Sequence, residues 1–244
     1  MSGSSTGIVL IADDDEVSRV VAKAMLAKRG YRAALACDGR EAVDMARADR
    51  YAAILMDCEM PGLDGYEATA AIRAAESGSH VPIIAMTAYA DTSSRERCLA
   101  AGMDDYLLKP FEPEQLDTVI ATWLNQATHW PEQDVGTSDS LLDQRAISQL
   151  RNLLADDVRH DLLATFEASV ARCLADLQDA FDRGDGVELR RVAHLLKGSA
   201  TTLAATRLGN VCAEMERTGR DDVALDELRA VTAESLSALR VSLL

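Results

Sequence analysis

The stretch YAAILMD, residues 51–57, is an apolar run that ends in a single acid. Four similar runs accompany it: IVLIA at 8–12, YRAALA at 31–36, VPIIAM at 81–86 and DDYLL at 104–108. Amphipathic stretches with helical spacing separate these runs. Apolar runs that do not alternate with polar residues are typical of strands covered on both faces, as in a parallel sheet between helices. The first half of the chain therefore predicts a doubly wound α/β fold of the (βα)₅ type.

Strand-like runs disappear after residue 124. Residues 125–140, NQATHWPEQDVGTSDS, are polar and have no sustained period, so we interpret them as a linker. From 141 to 244 apolar residues recur at helical spacing, which predicts an all-α bundle of about four or five helices. We thus expect a flexible N-terminus at 1–6, an α/β domain at 7–124, the linker at 125–140 and a helical domain at 141–244.

The composition excludes several classes of partner. The formal net charge of −15 argues against nucleic acid and against anionic membrane surfaces, both of which attract clustered Lys and Arg. No apolar run approaches the ~18 residues that a membrane-spanning helix needs, and the N-terminus lacks the features of a signal peptide. The five cysteines form no C-x-x-C pair, so neither a disulfide framework nor a zinc site is indicated. We expect a cytoplasmic protein without membrane insertion.

Polar side chains follow several of the predicted strands. Three acids at 13–15 follow the first strand, Asp57 follows the third, Thr87 ends the fourth and Lys109 follows the fifth. In an open parallel sheet these positions meet at one edge, where ligands bind. An acidic set with oxygen ligands only suits Mg²⁺. With Asp57 as nucleophile, Lys109 and Mg²⁺ to balance charge and Thr87 as hydrogen-bond donor, the edge favours phosphoryl transfer to a carboxylate.

Each of these acids alone has an ordinary structural explanation. Asp14 or Asp15 can cap the helix that follows, and Asp57 can begin a turn. In combination they favour a site, because nothing structural requires an acid after a buried strand opposite further acids and a lysine. An alternative enzyme class is an aspartyl-nucleophile phosphatase of the haloacid-dehalogenase type, with its nucleophile in ADDDEV at 12–17. That alternative leaves Asp57 and YLLKPF at 106–111 unexplained.

Four segments resemble two-component response-regulator receiver domains. They are VLIADDDEVSR at 9–19, ILMDCEMPGLDGYE at 54–67, IIAMTAYA at 83–90 and YLLKPF at 106–111. The resemblance covers about residues 7–125. It implies that Asp57 is the phosphoacceptor and that Asp14, with Asp13 or its neighbour, Asp57 and the backbone carbonyl of Glu59, holds Mg²⁺.

The same resemblance assigns further roles. It implies that Thr87 and Lys109 sense the phosphoryl group, that Tyr106 is the aromatic switch and that the Lys109–Pro110 peptide bond is cis. Many members of the family have Asn where Asp15 stands, which makes this site more acidic.

The segment AHLLKGSA, residues 193–200, places a histidine in the second half. At ~100° per residue, Arg190, Arg191, Lys197 and Gly198 share one helix face with His194. The opposite face is a predicted core stripe, formed by Leu189, Val192, Leu196 and Leu203. This pattern predicts that His194 points to solvent. Three cations beside it would hold a phosphoryl group, and Gly198, which costs ~1 kcal/mol relative to Ala, would make room for a partner.

The segment AHLLKGSATTLAATRLGNVCAEME, residues 193–216, resembles histidine-containing phosphotransfer (HPt) domains. The resemblance covers about 141–244 and rests on H-x-x-K-G followed by small residues. It implies that His194 is phosphorylated, assisted by Lys197 and Gly198.

These resemblances imply a phosphorelay intermediate that moves a phosphoryl group between Asp57 and His194. The sequence shows no P-loop and no kinase core, so we expect a carrier that depends on a separate sensor histidine kinase and passes the group to a downstream response regulator. One alternative is a protein-docking module, in which phosphorylation of Asp57 switches the docking surface and His194 is not phosphorylated. Another is the receiver–HPt portion of a hybrid histidine kinase.

Overall fold

The computed structural model describes residues 7–76, 80–88, 92–124, 140–218 and 222–244. The chain divides into two compact units, residues 1–135 and 136–244. The predicted N-terminal segment at 1–6 lies outside the described residues, and so does the predicted linker apart from Ser140. Among the helices that the structure describes, none is both long and apolar enough to cross a membrane.

The first unit alternates strands with helices, as the sequence predicts. In chain order its elements are β1 (Ile8–Ala12), α1 (Glu16–Lys28), β2 (Arg32–Ala36), α2 (Gly39–Ala48), β3 (Ala53–Asp57), α3 (Gly65–Ala75), β4 (Ile83–Thr87), α4 (Thr92–Ala101), β5 (Asp105–Leu108) and α5 (Pro113–Leu124).

The five strands form one parallel sheet in the order β2-β1-β3-β4-β5. Every residue of β3 and β4 is buried, which explains why their sequences do not alternate with polar residues. The strand order reverses between β1 and β3, so these two neighbouring strands end at the crevice where ligands bind in such sheets. Both the fold class and the strand assignment are confirmed.

The turn between β3 and α3 fixes the end of β3. Asp64 caps α3 in a capping box: its side chain accepts from the Glu67 amide at 2.8 Å, and the Glu67 side chain accepts from the Asp64 amide at 3.3 Å. A Cβ atom at Gly65 would lie 1.9 Å from the carbonyl oxygen of Asp57. Only glycine therefore lets α3 begin so close to Asp57.

The second unit is helical, as predicted. In its described residues the helices are α6 (Gln144–Leu153), α7 (Asp156–Arg183), α8 (Gly186–Thr202), α9 (Thr206–Thr218) and α10 (Asp222–Leu243). The side chain of Asp185 caps α8 by accepting from the amides of Val187 and Glu188. After α8 the chain turns back at once, so α8 and α9 form a hairpin. The predicted core stripe of α8, Leu189, Val192, Leu196 and Leu203, is buried throughout.

Candidate functional sites

The carboxyl ends of the strands bring together the side chains that the sequence singled out. Asp13 directly follows β1, Asp57 ends β3 and Thr87 ends β4, and all three residues are buried. Lys109 directly follows β5. Its Nζ atom lies 2.7 Å from Oδ2 of Asp13 and 2.7 Å from Oδ2 of Asp57. One ammonium group therefore links the ends of three strands.

The charged groups of this cluster shift one another's pKa values. Burial raises the pKa of Asp57 to about 7; the nearby Lys109 lowers it, and the negative charge of Asp13 raises it. Burial by itself lowers the pKa of Lys109, but the charges of Asp13 and Asp57 outweigh burial and raise it above its usual range. Lys109 therefore stays protonated. A further cation at the cluster would favour the ionised, nucleophilic form of Asp57.

Asp15 has a structural role. Its side chain accepts hydrogen bonds from the amides of Val17 at 3.3 Å and Ser18 at 3.1 Å, and from the Ser18 hydroxyl at 2.8 Å. These contacts cap the first turn of α1. Of the three consecutive acids, Asp15 is thus the one that stabilises the helix, and the carboxylates of Asp13 and Asp14 face the cluster with Asp57.

The residues present fit a divalent cation. One carboxylate oxygen from each of Asp13, Asp14 and Asp57 can be chosen so that the three atoms lie within 4.8 Å of one another. These ligands are all oxygens, which hard cations such as Mg²⁺ prefer. The Glu59 amide donates to Oδ1 of Asp57 at 3.2 Å, so Glu59 also lies beside the cluster. The role of the Glu59 carbonyl as a ligand stays a prediction.

Thr87 and Tyr106 lie on the side of the cluster formed by β4 and β5. Thr87 is buried at the end of β4, and Tyr106 is half-buried in β5, where it pairs with Ala85. The Lys109–Pro110 peptide bond is cis, which confirms that expectation. The phosphoryl-sensing roles of Thr87, Lys109 and Tyr106 stay predictions.

In the second unit, His194 lies on α8 opposite a carboxylate from α9. Its Nδ1 atom lies 2.9 Å from Oε1 of Glu216, and Nζ of Lys197 lies 2.6 Å from Oε2 of the same residue. Burial raises the pKa of Glu216, but the hydrogen bonds from His194 and Lys197 outweigh burial and lower it to about 2. Glu216 is therefore ionised at neutral pH and can only accept. In the neutral ring, Nδ1 of His194 then carries the proton and donates to Glu216, which leaves the ring lone pair on Nε2.

The predicted exposure of this helix face is partly wrong. The His194 side chain is 25% exposed and that of Lys197 only 11%, whereas both were expected to point to solvent. The reason is Glu216, which draws both side chains towards α9. Arg190 and Arg191 are exposed, as expected, and Arg191 pairs with Glu188 at 2.7 Å. Of the three cations predicted to surround His194, Arg191 and Lys197 are therefore each paired with a carboxylate.

Gly198 occupies an open position. A Cβ atom at this residue would meet no atom of the described residues within 4 Å, and its backbone does not adopt a positive φ. In the described part of the chain, neither packing nor backbone conformation therefore requires glycine here. Because His194 and Gly198 are four residues apart on one helix, they share a face.

Glu216 is the site residue that the sequence analysis missed. It lies 22 positions after His194 and directly follows Met215, which is buried in the face of α9 that packs in the bundle. Helical periodicity places Glu216 at the edge of that face. Its contact with His194 requires the register between α8 and α9, which periodicity alone does not supply.

Two family models match the chain. The response regulator receiver domain model matches residues 9–121, and the Hpt domain model matches residues 161–241. These matches include both sites described above.

Curated relatives align across both regions. The chain is 32% identical over 217 residues to the sensor histidine kinase AruS of Pseudomonas aeruginosa, covering 86% of this chain and 20% of that protein. It is 30% identical over 222 residues to the sensor protein EvgS of Escherichia coli, covering 90% of this chain and 18% of that protein. The chain therefore spans only about a fifth of the length of these relatives.

One solved structure is similar to half of this chain. It is the receiver domain of a sensor histidine kinase from Pseudomonas aeruginosa, described with a magnesium ion coordinated in its active-site cleft. The two are 48% identical, and the match covers 50% of this chain and 100% of that one with a TM-score of 0.47.

Proposed function

Because the chain contains a response regulator receiver domain and an Hpt domain, we propose that it is a phosphorelay intermediate. In this role it carries a phosphoryl group between Asp57 and His194. Receiver and Hpt domains carry no kinase core, so the phosphoryl group comes from a histidine kinase. The proposed donor is a sensor histidine kinase, and the proposed partner on the other side is the receiver domain of a response regulator.

The observation that carries this proposal is the buried Asp57 carboxylate, held 2.7 Å from the Lys109 ammonium beside a second carboxylate. An Asp57 oxygen attacks the phosphorus atom of the donor, a new P–O bond forms, and the bond from phosphorus to the leaving group breaks. The product is an acyl phosphate. Lys109 is placed to offset the negative charge that the phosphoryl oxygens bring.

A divalent cation completes the charge balance of this step. Asp13, Asp14 and Asp57 would hold it, and Mg²⁺ fits their oxygens. When bound, it supplies positive charge to the phosphoryl oxygens. Burial raises the pKa of Asp57 to about 7, and a cation beside the carboxylate would favour its ionised form.

The second step moves the phosphoryl group between Asp57 and Nε2 of His194. A P–N bond forms, the acyl P–O bond breaks, and Asp57 is regenerated as a carboxylate. Glu216 orients the ring and keeps the proton on Nδ1, so that Nε2 presents its lone pair. Gly198 lies on the same face of α8 and leaves room for the domain that donates or accepts the group.

The first test of this function is phosphorylation by acetyl phosphate. We expect the full chain to acquire a base-labile label on Asp57 in the presence of Mg²⁺, and to lose that labelling when a chelator removes the cation. Restoring Mg²⁺ should restore the label. Equal labelling with and without chelator would show that the carboxylate cluster is not a cation site.

Glu216→Gln tests the acid that holds His194. The pKa of Glu216 is lowered to about 2, so its ionised form stabilises the fold above pH ~4.5, and this contribution is lost as the pH falls towards 2. We expect the variant to lower the free energy of unfolding at pH 7 by about 1–3 kcal/mol. Its difference from the wild-type chain should shrink between pH ~4.5 and 2. Urea unfolding followed by circular dichroism measures both.

Glu214→Gln is the matched control. Glu214 lies on the same helix but is exposed, and it pairs with Arg217 three residues away. We expect the free energy of unfolding of this variant to equal that of the wild-type chain at every pH. If the two variants behave alike, the pairing of Glu216 with His194 and Lys197 does not stabilise the second unit.

A further inference from the structure

Two cysteines meet directly beside the phosphoacceptor. Cys58 follows Asp57 in the chain, Cys98 lies in α4, and their Sγ atoms are 3.9 Å apart. Both residues are 1% exposed. The distance corresponds to a hydrogen-bonded thiol pair, and a disulfide needs a sulfur–sulfur distance of about 2.05 Å. The two thiols are therefore one small displacement away from a bond.

Polar and charged groups lie beside Cys98. The hydrogen bond from Cys58 lowers the pKa of the Cys98 thiol; burial opposes this, and the Tyr66 hydroxyl and the Arg97 guanidinium add to the lowering. The Arg97 guanidinium lies 4.2 Å from the centre of the Tyr66 ring. Reactive thiols typically lie near such donors and cations. Cys37, by contrast, is an exposed cysteine elsewhere in the same unit.

We propose that Cys58 and Cys98 form a peroxide-sensitive thiol pair, and that its closure to a disulfide slows phosphorylation of Asp57. The effect on phosphorylation rests on the proposed function, whereas disulfide formation does not. A peroxide takes two electrons from one thiol, its O–O bond breaks, and a sulfenic acid and water form. The second thiol then attacks the sulfenic sulfur, an S–S bond forms, and a second water leaves. Two thiols and one hydrogen peroxide thus give one disulfide and two waters.

The bond would disturb Asp57 because the backbone of Cys58 is held on both sides. Its amide donates to the Met86 carbonyl at 3.0 Å, and its carbonyl accepts from the Gly65 amide at 3.1 Å. Closing the sulfur–sulfur distance from 3.9 Å requires a shift of about 1.9 Å shared between Cys58 and α4. The part of this shift that the backbone of residue 58 takes up would move the adjacent Asp57 and the Glu59 amide that donates to it. A displacement near 1 Å at a reacting group slows catalysis on the order of tenfold to a hundredfold.

Burial of the pair determines which oxidants act. Hydrogen peroxide is little larger than water, so it needs only a small opening between α4 and the end of β3. Bulky thiol reagents need a much larger opening. We therefore expect peroxide to oxidise the pair under conditions in which a bulky aromatic disulfide reagent modifies Cys37 alone within the first unit.

The test uses the full chain carrying Cys37→Ser, a change that removes the exposed thiol and leaves the pair intact. After treatment with hydrogen peroxide, we expect the intact mass to fall by two hydrogen atoms. A non-reducing digest should contain one species in which the Cys58 and Cys98 peptides are linked. A thiol reductant should reverse both changes. Absence of this linked species would overturn the proposal without any reference to phosphorylation.

The second readout is the rate of Asp57 labelling by acetyl phosphate and Mg²⁺. We expect oxidation to slow labelling on the order of tenfold, reduction to restore it, and a Cys98→Ala chain to label equally fast with and without peroxide. A linked chain that labels at the reduced rate would overturn the regulatory effect. If the reduced chain itself does not label, the proposed function fails, while the mass and digest results still decide whether the disulfide forms.

Discussion

Asp57→Asn is expected to abolish the Mg²⁺-dependent, base-labile label that acetyl phosphate introduces. The amide is a poor nucleophile, and it removes one of the three carboxylates that can hold a cation together. Because Oδ2 of Asp13 also lies 2.7 Å from the Lys109 ammonium, the label must be assigned to a peptide as well as measured. Labelling followed by peptide mapping measures the loss.

The matched control is Asp44→Asn. Asp44 is exposed on α2, so this change removes one carboxylate charge away from the cluster. We expect the control to label at the wild-type rate. If Asp57→Asn labels as fast as the control on the same peptide as the wild-type chain, Asp57 is not the acceptor.

His194→Gln is expected to abolish all phosphoryl transfer to or from the second unit. Glutamine has no nucleophilic ring nitrogen, yet its amide can still donate to Glu216. Because His194 is half-buried and bonded to Glu216, we expect a loss of ~0.5–1.5 kcal/mol in unfolding free energy. This is more than a fully solvent-exposed histidine would cost. Incubation with a phosphorylated receiver domain, followed by assay for an acid-labile label, measures the transfer.

His160→Gln is the control for this variant. His160 is exposed on α7, and its Nδ1 atom lies 2.7 Å from the carbonyl oxygen of Asp156. We expect it to transfer as the wild-type chain does. An acid-labile label that persists in His194→Gln would place the phosphohistidine elsewhere. A wild-type chain whose His194 never acquires a label would instead support a docking module with a silent histidine.

The sequence predicted the fold of the first unit because burial determines its pattern. Residues 53–57 and 83–87 lie in central strands covered on both faces, so their apolar runs are continuous and easy to recognise. The same topology predicted that Asp13, Asp57 and Lys109 meet, since parallel strands end at one edge of the sheet. The structure adds the 2.7 Å contacts that make Lys109 the link between both acids.

The sequence could not predict contacts that depend on another helix or on local hydrogen bonding. It left open whether Asp14 or Asp15 caps α1, because both have the right side chain; the structure assigns this role to Asp15. It also placed Lys197 on a solvent-facing strip. A helical wheel contains only the residues of α8, and Glu216 reaches this face from α9.

In the proposed relay, Asp57 and His194 exchange a phosphoryl group. A 16-residue linker at 125–140 that behaves as a flexible chain has a root-mean-square span of ~20–24 Å. Such a tether gives an effective concentration on the order of millimolar. We therefore expect transfer within one chain to outrun transfer between chains at micromolar protein.

The most direct measurement is to phosphorylate Asp57 in the full chain, remove the donor, and follow acid-labile label arriving on His194 over about a hundredfold range of protein concentration. A mixture of Asp57→Asn and His194→Gln chains measures transfer between chains. We expect a first-order rate that does not change on dilution, together with slow transfer in the mixture. A rate that scales with concentration would contradict transfer within the chain. If His194 acquires no label at any concentration while Asp57 loses its own, the two sites do not form one relay.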